Sequence, residues 1–518
     1  MELKRSVGRF GLLLFAVGSI VGSGWLFGPF FAAQLAGPAA IVAWCLGGLL
    51  MMFIALTFAE LSAMYPVTGG TIRFLQISHG TLVSFTFAWI AWASSVAIAP
   101  IETLALLQYS AQYVPWLIFE SSDAHLLTGQ GVIVAAMVMG LMVTMNALGV
   151  KFLLKSNAFL VGFKLFIPIV TILLLLCVDF HPSNFVAQGF ATEGFKGILS
   201  SLPAAGIVFS FIGFTSAVQL AGETRDPQKA IPFAIIGSLV VCTVLYFFLQ
   251  VAFVGAMTPE SFAGGWANLH FAGDTGPFIG VIGLLGLFWF VKILYIDAFI
   301  SPFGTGLVYT GATARLAFAM GKNGYMPKFL MNVNKSGVPG RLILVNYFLG
   351  LLLFLPFPTW QGMMSFLVSA LVFAYAVGPL ALVVLRKIEP EKARPFRLPK
   401  PMLMSFIAFY VCNLILLWTG WDVIWKMLLA VLFGYIVLAV YRLYGKEEKL
   451  AMEWHNCGWL FAYLVLSALI SFGSAFGGGK GFIPFGWDLL AVAIESLFIF
   501  YWSYISGCKT PAQQVKDA

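Results

Sequence analysis

Long apolar runs separated by short polar segments recur along the chain from about residue 10 to about residue 506. Most of these runs match the roughly 20 residues that an α-helix needs to cross the hydrocarbon core of a bilayer. The pattern predicts an all-α polytopic membrane protein with about 14 spans, which lie near residues 10–35, 38–63, 81–108, 129–150, 156–178, 200–221, 231–257, 277–311, 342–356, 361–385, 402–419, 423–443, 457–475 and 487–506.

Composition agrees with this pattern and excludes several classes of protein. Apolar residues make up 60% of the 518-residue chain and charged residues only 10%, against about 45–50% and about 25% in soluble domains. A soluble fold of this size could not bury so much apolar surface. A soluble enzyme, a nucleic-acid-binding protein and a disordered chain are therefore all disfavoured. The first apolar run continues past residue 30, so we expect it to be retained as a span rather than cleaved as a signal peptide.

The basic residues test the span count, because cytoplasmic loops of membrane proteins are rich in Lys and Arg. With a cytoplasmic N-terminus, 24 of the 29 basic residues fall in cytoplasmic segments, and only Lys196, Lys426 and Lys480 fall on the other side. The split predicts an even number of spans, with both termini cytoplasmic, in a plasma (inner) membrane protein. The net charge of +8 is then a topology signal and does not indicate a nucleic-acid partner.

Cysteine and histidine are scattered. The six Cys and five His residues form no CxxC pair and no metal-ligand spacing. We therefore expect no disulfide framework, metal site or cofactor. The spans also hold no cluster of nucleophile, base or metal ligands, so the sequence does not indicate an enzyme.

Two spans contain segments that are poorly suited to an uninterrupted helix. Residues 18–24 (GSIVGSG) hold three glycines and two serines in seven positions, and residues 209–216 (FSFIGFTS) follow Pro203 and Gly206. Close packing between helices would also select small residues. Unwound segments that line a polar cavity are the alternative, since free backbone is tolerated in a membrane only where a cavity or ligand meets it.

The positions of these two segments favour the second interpretation. They lie in the first and sixth spans, which begin two halves of five spans each, over 10–178 and 200–385. Five is an odd number, so the second half inserts upside-down relative to the first. Interrupted helices at matching places in inverted halves indicate a transporter binding site. We expect a ten-helix transport core over 1–385, a cytoplasmic linker over 386–401, and four further helices with a short cytoplasmic tail over 402–518.

Five motifs occur in the order found in one known superfamily: GSIVGSGWLFGP (18–29), AELSAMYPVTGG (59–70), SFIGFTSAVQLAGETRDPQKAIP (210–232), TARLAFAMGKNGYMPKFL (313–330) and RPFRLP (394–399). With them the chain resembles the amino acid–polyamine–organocation (APC) superfamily of permeases over about residues 5–400. The resemblance implies a LeuT-like 5+5 inverted repeat, and it places 313–330 in the loop after span eight. A fourteen-span layout is similar to the aspartate–proton symporter branch.

The resemblance also implies a substrate site at the two interrupted spans. Amides between Val21 and Gly24, with the Ser23 hydroxyl, would bind a substrate carboxylate at the positive end of a half-helix. Carbonyls of Ile20 and Phe209 would accept the substrate ammonium. The implied substrate-binding set is Ile20, Val21, Gly22, Ser23, Gly24, Phe209, Ile212 and Phe214, with Phe209 and Phe214 lining the side-chain pocket.

Lys164 lies in the middle of span five, where an ammonium group costs about 2.5–3.5 kcal/mol on insertion scales. Snorkelling or a structural ion pair would also accommodate it. In the proton-coupled relatives that the chain resembles, a lysine on this span replaces a bound cation. The resemblance implies that Lys164 bridges carbonyls near Gly18 and the hydroxyls of Ser301 or Thr305, and that loss of its proton opens the inner path.

Further charged residues lie within or near spans. Glu60, near the cytoplasmic end of span two, is expected to cap neighbouring backbone or act as a gate. Glu102 and Lys292 could form an ion pair across an outer vestibule, or each could face a separate crevice. Asp297 could relay protons or hold Lys292, and Glu223 lies at the inner mouth or pairs with Arg225.

The sequence thus predicts a proton-coupled amino acid symporter that works by alternating access. Its expected partners are an amino acid, protons and the lipid bilayer. The same motifs permit an amino acid exchanger, and a transporter-like sensor without turnover is the alternative from another class. The sequence does not identify the amino acid, the oligomeric state or the role of the last four helices.

Overall fold

A computed structural model describes residues 7–66, 70–121, 124–147, 150–334, 338–444 and 452–509. Helix predominates throughout these ranges. Among the described residues, ten helices are long and apolar enough to cross a membrane, or eleven when one bent pair is taken as a single span. The chain is therefore a multi-pass membrane protein. Both chain ends, residues 67–69 of the second motif and the basic residues Lys335, Lys446 and Lys449 lie outside the described residues.

The first half of the predicted core contains eight helices and one hairpin. The helices are α1 (Arg9–Ile20), α2 (Gly24–Ala36), α3 (Ala40–Met64), α4 (Gly70–His79), α5 (Thr81–Val96), α6 (Ile98–Ser110), α7 (Gly129–Ala147) and α8 (Val150–Val178). Strands β1 (Ile118–Ser121) and β2 (Ala124–Leu127) pair antiparallel, with Ile118 opposite Leu127. The sequence pattern does not predict this hairpin, since four-residue strands leave too short an alternation to detect.

The second half contains eight helices: α9 (Gly194–Ala204), α10 (Thr215–Gln219), α11 (Pro227–Gly255), α12 (Pro277–Leu284), α13 (Phe288–Lys322), α14 (Gly340–Leu352), α15 (Trp360–Tyr375) and α16 (Val377–Ile388). A 3-10 helix over Phe209–Phe214 joins α9 to α10. Further 3-10 turns lie at Gly37–Ala39, Pro115–Leu117, Pro182–Phe185, Ala221–Glu223, Pro259–Phe262, Trp266–Asn268, Lys328–Met331 and Trp454–Asn456. The chain ends with α17 (Pro401–Thr419), α18 (Trp421–Tyr444), α19 (Gly458–Gly473) and α20 (Trp487–Lys509).

The eighth predicted span is wrong at both ends. Residues 277–284 form the separate helix α12, because Gly286 adopts a φ of +73° that ends the helical path. Helix α13 begins only at Phe288 and continues to Lys322. The first ten residues of the 313–330 motif are therefore helical and do not form a loop. A hydropathy boundary does not detect this continuation, since the last turns of a long helix need not be apolar.

Small residues allow the central helices to approach closely. Helix α1 packs against α8, α11 and the 209–214 turn, while α13 packs against α6 and α8. A Cβ atom on Gly213 would lie 2.5 Å from backbone atoms of Ser19 and Ile20. Helices α17 and α20 pack on α3 and α16, respectively. In a membrane such contacts replace hydrophobic burial as the source of association between helices.

Candidate functional site

The predicted interruption of the first span is present at residues 21–23. Helix α1 ends at Ile20, Val21 is extended with φ −79° and ψ 92°, and α2 begins at Gly24. A helix end leaves its last carbonyls without partners inside the helix. Here the carbonyl of Gly18 accepts from Lys164 Nζ, and that of Ile20 accepts from the Tyr246 hydroxyl at 3.3 Å. The break therefore exposes main-chain oxygens to side chains of other helices.

The sixth span is interrupted four residues earlier than expected. Helix α9 ends at Ala204, residues 205–208 are not helical, and the two parts of the span are bent by 47°. Pro203 lacks an amide hydrogen and Gly206 has a φ of +81°. These two residues therefore cause the break in the helix. The predicted segment 209–216 is instead a tight 3-10 turn followed by α10. The serine and glycine content of that segment favours close packing against α1.

Several groups expected to be free for a substrate are occupied. The amide of Val21 donates to the carbonyl of Val17 at 2.9 Å and extends the α1 ladder. The carbonyl of Ile20 is taken by Tyr246, and that of Ile212 accepts from the Tyr375 hydroxyl at 3.0 Å. These two tyrosines could not be predicted from the sequence. The local pattern around a tyrosine does not indicate which carbonyl group of another span its hydroxyl will contact.

The two interrupted spans are in direct contact. A Cβ atom on Gly24 would lie 2.1 Å from Ser210 Oγ, and one on Gly22 would lie 2.6 Å from Glu102 Oε1. Cavities of about 310 Å³ and about 560 Å³ lie elsewhere in the described part of the chain, and residues 18–24 line neither of them. In this conformation the interrupted spans are closed against each other.

An aromatic cluster covers the interruption on one side. The ring of Trp360 lies 4.9 Å from Phe27, 5.9 Å from Phe31 and 5.9 Å from Phe209, measured between ring centroids. Its Nε1 donates to Ser23 Oγ at 3.0 Å. Trp360 begins the α15–α16 span and Arg386 lies near the end of it, so this cluster faces the end of the bundle opposite Arg386. The sequence does not single out Trp360, because no motif distinguishes it from the other tryptophans.

Phe209 and Phe214 have different environments. Phe209 belongs to the Trp360 cluster, next to the interruption. Phe214 is fully buried between Phe58 and Tyr375, with centroid distances of 5.9 Å and 5.3 Å. Phe214 therefore packs in the core rather than lining a pocket at the interruption, because the 3-10 turn rotates it away from Phe209.

Lys164 lies at the meeting point of three helices. Its side chain is fully buried, and Nζ donates to the carbonyl of Gly18 at 2.8 Å and to Thr305 Oγ1 at 2.7 Å. Thr305 Oγ1 is also 3.2 Å from the carbonyl of Val21. The lysine thus connects α8 to the end of α1 and to α13. Of the two hydroxyls considered, Ser301 is bonded elsewhere and Thr305 provides the contact.

Glu102 faces the same interruption and does not pair with Lys292. Its side chain is fully buried, Oε2 accepts from the main-chain amide of Ser23 at 2.8 Å, and Oε1 has no hydrogen-bond partner among the described residues. Lys292 is exposed and forms no ion pair within the described part of the chain. The expected outer ion pair is therefore wrong: hydropathy gives the depth of a residue in a span but not the face it occupies.

Asp297 also fails to hold Lys292. Five residues of helix place the two side chains about 140° apart around α13. Asp297 is fully buried and accepts from Ser301 Oγ at 3.0 Å and 3.2 Å through its two oxygens. Lys164 interacts electrostatically with both Asp297 and Glu102. One buried ammonium thus faces two buried carboxyl groups.

Glu60 fastens the segment after α16 to α3. Its two oxygens accept from Arg386 Nε at 2.8 Å and Arg386 Nη2 at 2.7 Å, and Oε2 also accepts from the amide of Leu398 at 2.6 Å. Arg394 Nε lies 3.8 Å away. Glu60 therefore caps a backbone amide, as expected. Its two arginine partners come from the predicted linker, whose pairing no sequence motif indicates.

Glu223 is buried beside Arg315 rather than paired with Arg225. Burial raises the pKa of its carboxyl group, and the positive charge of Arg315 partly opposes this. Arg225 is exposed, and its amide donates to the carbonyl of Val7 at 2.8 Å. The amide of Val7 in turn donates to the carbonyl of Glu223 at 3.0 Å. The N-terminal segment thus pairs with the turn that follows α10.

The sequence profile described as "Amino acid permease" matches residues 7–441. This chain belongs to the amino acid permease family. The resemblance to the APC superfamily is confirmed, and the permease is an amino acid transport protein with transmembrane helices. It is similar to the glutamate/serine transporter AimA of Bacillus subtilis (strain 168), with 35% identity covering 100% of this chain and 96% of the relative.

Two further relatives of the permease come from the same organism. It is 33% identical to the aspartate-proton symporter, over 98% of this chain and 97% of the relative. It is 27% identical to the branched-chain amino acid permease BcaP, over 86% and 94%. The family and these relatives are transporters and not enzymes.

Proposed function

We propose that the permease is a proton-coupled amino acid symporter that works by alternating access. The observation that carries the proposal is the position of Lys164, whose ammonium joins the interrupted first span to α13 through Gly18 and Thr305. A charge at this point stabilises one packing of α1 against α8 and α13. Its removal frees a carbonyl and a hydroxyl at the interruption, which favours another packing.

The charge balance around Lys164 supports coupling to a proton. Glu102 and Asp297 are both buried, and one ammonium compensates only one of them if both are ionised. An uncompensated buried carboxylate is costly. Uptake of one proton by this group of three residues removes the excess charge. Because Glu102 also holds the amide of Ser23 at the interruption, protonation and substrate binding act on the same cluster.

Two features support alternating access. The Trp360 cluster closes the interruption at the end opposite Arg386, while a cavity of about 560 Å³ lies toward the Arg386 end. The basic residues predict that the Arg386 end is cytoplasmic, with both termini on that side. We therefore assign this conformation to the inward-oriented stage, in a LeuT-like 5+5 core with four additional helices and fourteen spans in all.

The substrate is an α-amino acid bound where the first and sixth spans are interrupted. Relatives are named for glutamate, serine and aspartate, so these three amino acids are the first ligands to test. Opening of the Trp360 cluster and separation of Gly24 from Ser210 would free Ser23, Gly24 and the carbonyl of Phe209 for the substrate backbone.

Uptake into proteoliposomes tests the proposal. The purified full-length permease is reconstituted, and uptake of radiolabelled L-serine, L-glutamate and L-aspartate is measured with and without a pH gradient, acidic outside. We expect uptake to rise with the gradient and to fall when a protonophore collapses it. Lys164→Ala should lose the gradient-driven part, and Lys292→Ala, which changes an exposed lysine of α13, should retain it.

The same experiment separates the alternatives. Full gradient-driven uptake by a folded Lys164→Ala variant contradicts proton coupling through this lysine. Counterflow without net uptake identifies an exchanger, and saturable binding without flux identifies a sensor.

A further inference from the structure

A cavity of about 560 Å³ lies away from the interrupted spans. It is lined by residues of α3, α4, α5, α10, α13, α15 and α16. Tyr375 and Val377 line it, and these residues stand between Trp360 and Arg386 along their span. The cavity therefore lies between the interruption and the Arg386 end.

Two buried polar atoms at this cavity make no hydrogen bond of good geometry among the described residues, although the hydroxyl of Tyr309 lies close to Thr215. They are the hydroxyl of Tyr309 and Oε1 of Gln219, each on a residue that lines the cavity. The side chain of Tyr309 is only 3% exposed. A buried polar group without a hydrogen bond costs about 1–3 kcal/mol, so such groups are rare unless a ligand or water completes them.

The chemistry of these two atoms is complementary. A tyrosine hydroxyl donates, and its natural acceptor here is a carboxylate. An amide oxygen accepts, and it suits an ammonium group. The rest of the wall includes the apolar side chains of Phe87 and Leu371, and none of the lining residues is Asp, Glu, Lys or Arg. The hydroxyl residues Ser84, Ser95, Thr215 and Tyr375 also line the cavity. A donor, an acceptor and an uncharged wall match a zwitterionic amino acid with a small side chain.

The neutral wall also sets the strength of binding. No charged residue lines the cavity, so no protein charge compensates the desolvation of the ligand's ammonium and carboxylate. A ligand here would be held more loosely than one bound by a helix end close to a lysine. Loose binding on the path toward the Arg386 end suits a stage at which the substrate leaves.

We propose that this cavity is a second amino acid site, distinct from the interrupted spans, in which Tyr309 binds the carboxylate and Gln219 binds the ammonium of a substrate on its way out. The proposal rests on the proposed transport function. Tyr309 also lines an adjoining cavity of about 310 Å³, whereas Gln219 lines only the larger one of the two. If substitutions at both positions weaken substrate binding, the site is therefore the larger cavity.

Equilibrium dialysis of the purified full-length permease with radiolabelled L-serine and L-glutamate tests the inference. We expect two classes of binding sites in the wild type. Tyr309→Phe and Gln219→Leu should each weaken the looser class about fivefold or more, since each removes one hydrogen bond, and should leave the tighter class unchanged. Gly24→Ala should weaken the tighter class only. Tyr410→Phe, which removes a hydroxyl bonded to Leu489 in the last four helices, is the matched control.

A second readout does not depend on resolving two affinities. In Ala91→Cys, at a lining position that the proposal does not use for a hydrogen bond, alkylation of the introduced thiol is followed by mass spectrometry of its peptide. L-serine should slow alkylation, and should still do so when Gly24→Ala is also present.

The outcomes separate the two proposals. A single class of sites that neither Tyr309→Phe nor Gln219→Leu affects, or alkylation that L-serine does not slow, overturns the second site and leaves the transport function standing. Absence of both binding and uptake in the wild type overturns the transport function itself.

Discussion

The carboxylate of Glu102 accepts a hydrogen bond from the main-chain amide of Ser23, at 2.8 Å. This amide belongs to the interruption in the first span, where family resemblance places the substrate carboxylate. Two carboxylates cannot both accept from one amide hydrogen at full strength. A substrate that binds at Ser23 must therefore displace Glu102, and a displaced buried carboxylate is most stable after it takes up a proton or approaches Lys164.

Glu102→Gln should remove the negative charge beside Ser23 and keep the hydrogen bond to its amide. The amide oxygen of glutamine can still accept from Ser23, so the variant should fold with nearly the thermal stability of the wild type. Uptake should lose most of its dependence on external pH, because the group that changes charge is gone. The measurement is uptake at fixed substrate concentration across external pH. Glu495→Gln is the matched control, since Glu495 is a buried carboxyl bonded to Ser467 in the last four helices. A Glu102→Gln profile that coincides with the wild type at every pH contradicts this role.

Thr305→Val should impair transport more than Thr310→Val. Both substitutions replace a hydroxyl with a methyl group of similar volume on α13. Thr305 contacts Lys164 and the carbonyl of Val21, whereas the hydroxyl of Thr310 bonds only to Gly306 of its own helix. Loss of a hydrogen bond to a charged group costs about 1.5–3 kcal/mol, so the expected fall in uptake is roughly tenfold or more for Thr305→Val. Thr305→Ser should restore most of it. Equal effects of the two valine variants would argue against a special role for Thr305.

Glu60→Gln should destabilise the permease. It removes the charge that compensates Arg386 and the largely buried Arg394. Removing one partner of a buried ion pair costs about 3–5 kcal/mol. Because Arg386 is partly exposed, we expect the free energy of unfolding to fall by about 3 kcal/mol. Thermal unfolding in detergent measures the loss. Glu391→Gln, an exposed position on the same segment, should have little effect. The double variant Glu60→Gln/Arg386→Gln should recover part of the loss, and purely additive effects would show that the pair does not interact.

Glu223 should make stability depend on pH. Burial raises the pKa of its carboxyl group in the folded state, so the protonated form is favoured by folding. Its stabilising contribution is complete below the ordinary carboxyl pKa of about 4.3 and is lost as the pH rises through the raised value. Relative to Glu223→Gln, the wild type should therefore become less stable as the pH increases from about 4 toward neutrality. Melting temperatures of both proteins across this range test the sign. Glu193→Gln, at an exposed position, should follow the wild type, and a constant difference between wild type and Glu223→Gln contradicts the prediction.

Much of the fold follows from local patterns. Apolar runs predict the membrane helices, and the glycines and serines of residues 18–24 predict the interruption that lies at 21–23. Pro203 and Gly206 mark the second interruption. The prediction placed it four residues too late in the chain, because it followed the serine and threonine residues of 209–216. The contact of Lys164 with Gly18 and Thr305 agrees with what the resemblance implies for the first, fifth and eighth spans.

By itself, then, the sequence determined that the chain is a multi-pass helical membrane protein, and that glycine, serine and proline interrupt its first and sixth spans. These are local properties, set by side-chain transfer free energies and by the φ preferences of glycine and proline. Tertiary structure alone decided which face each residue presents and what it meets there. It turned Glu102 toward Ser23 and away from Lys292, brought Trp360 over Ser23, and left polar atoms of Tyr309 and Gln219 without a hydrogen bond of good geometry at one cavity. Depth is a property of one helix, whereas a contact depends on the rotation and packing of two.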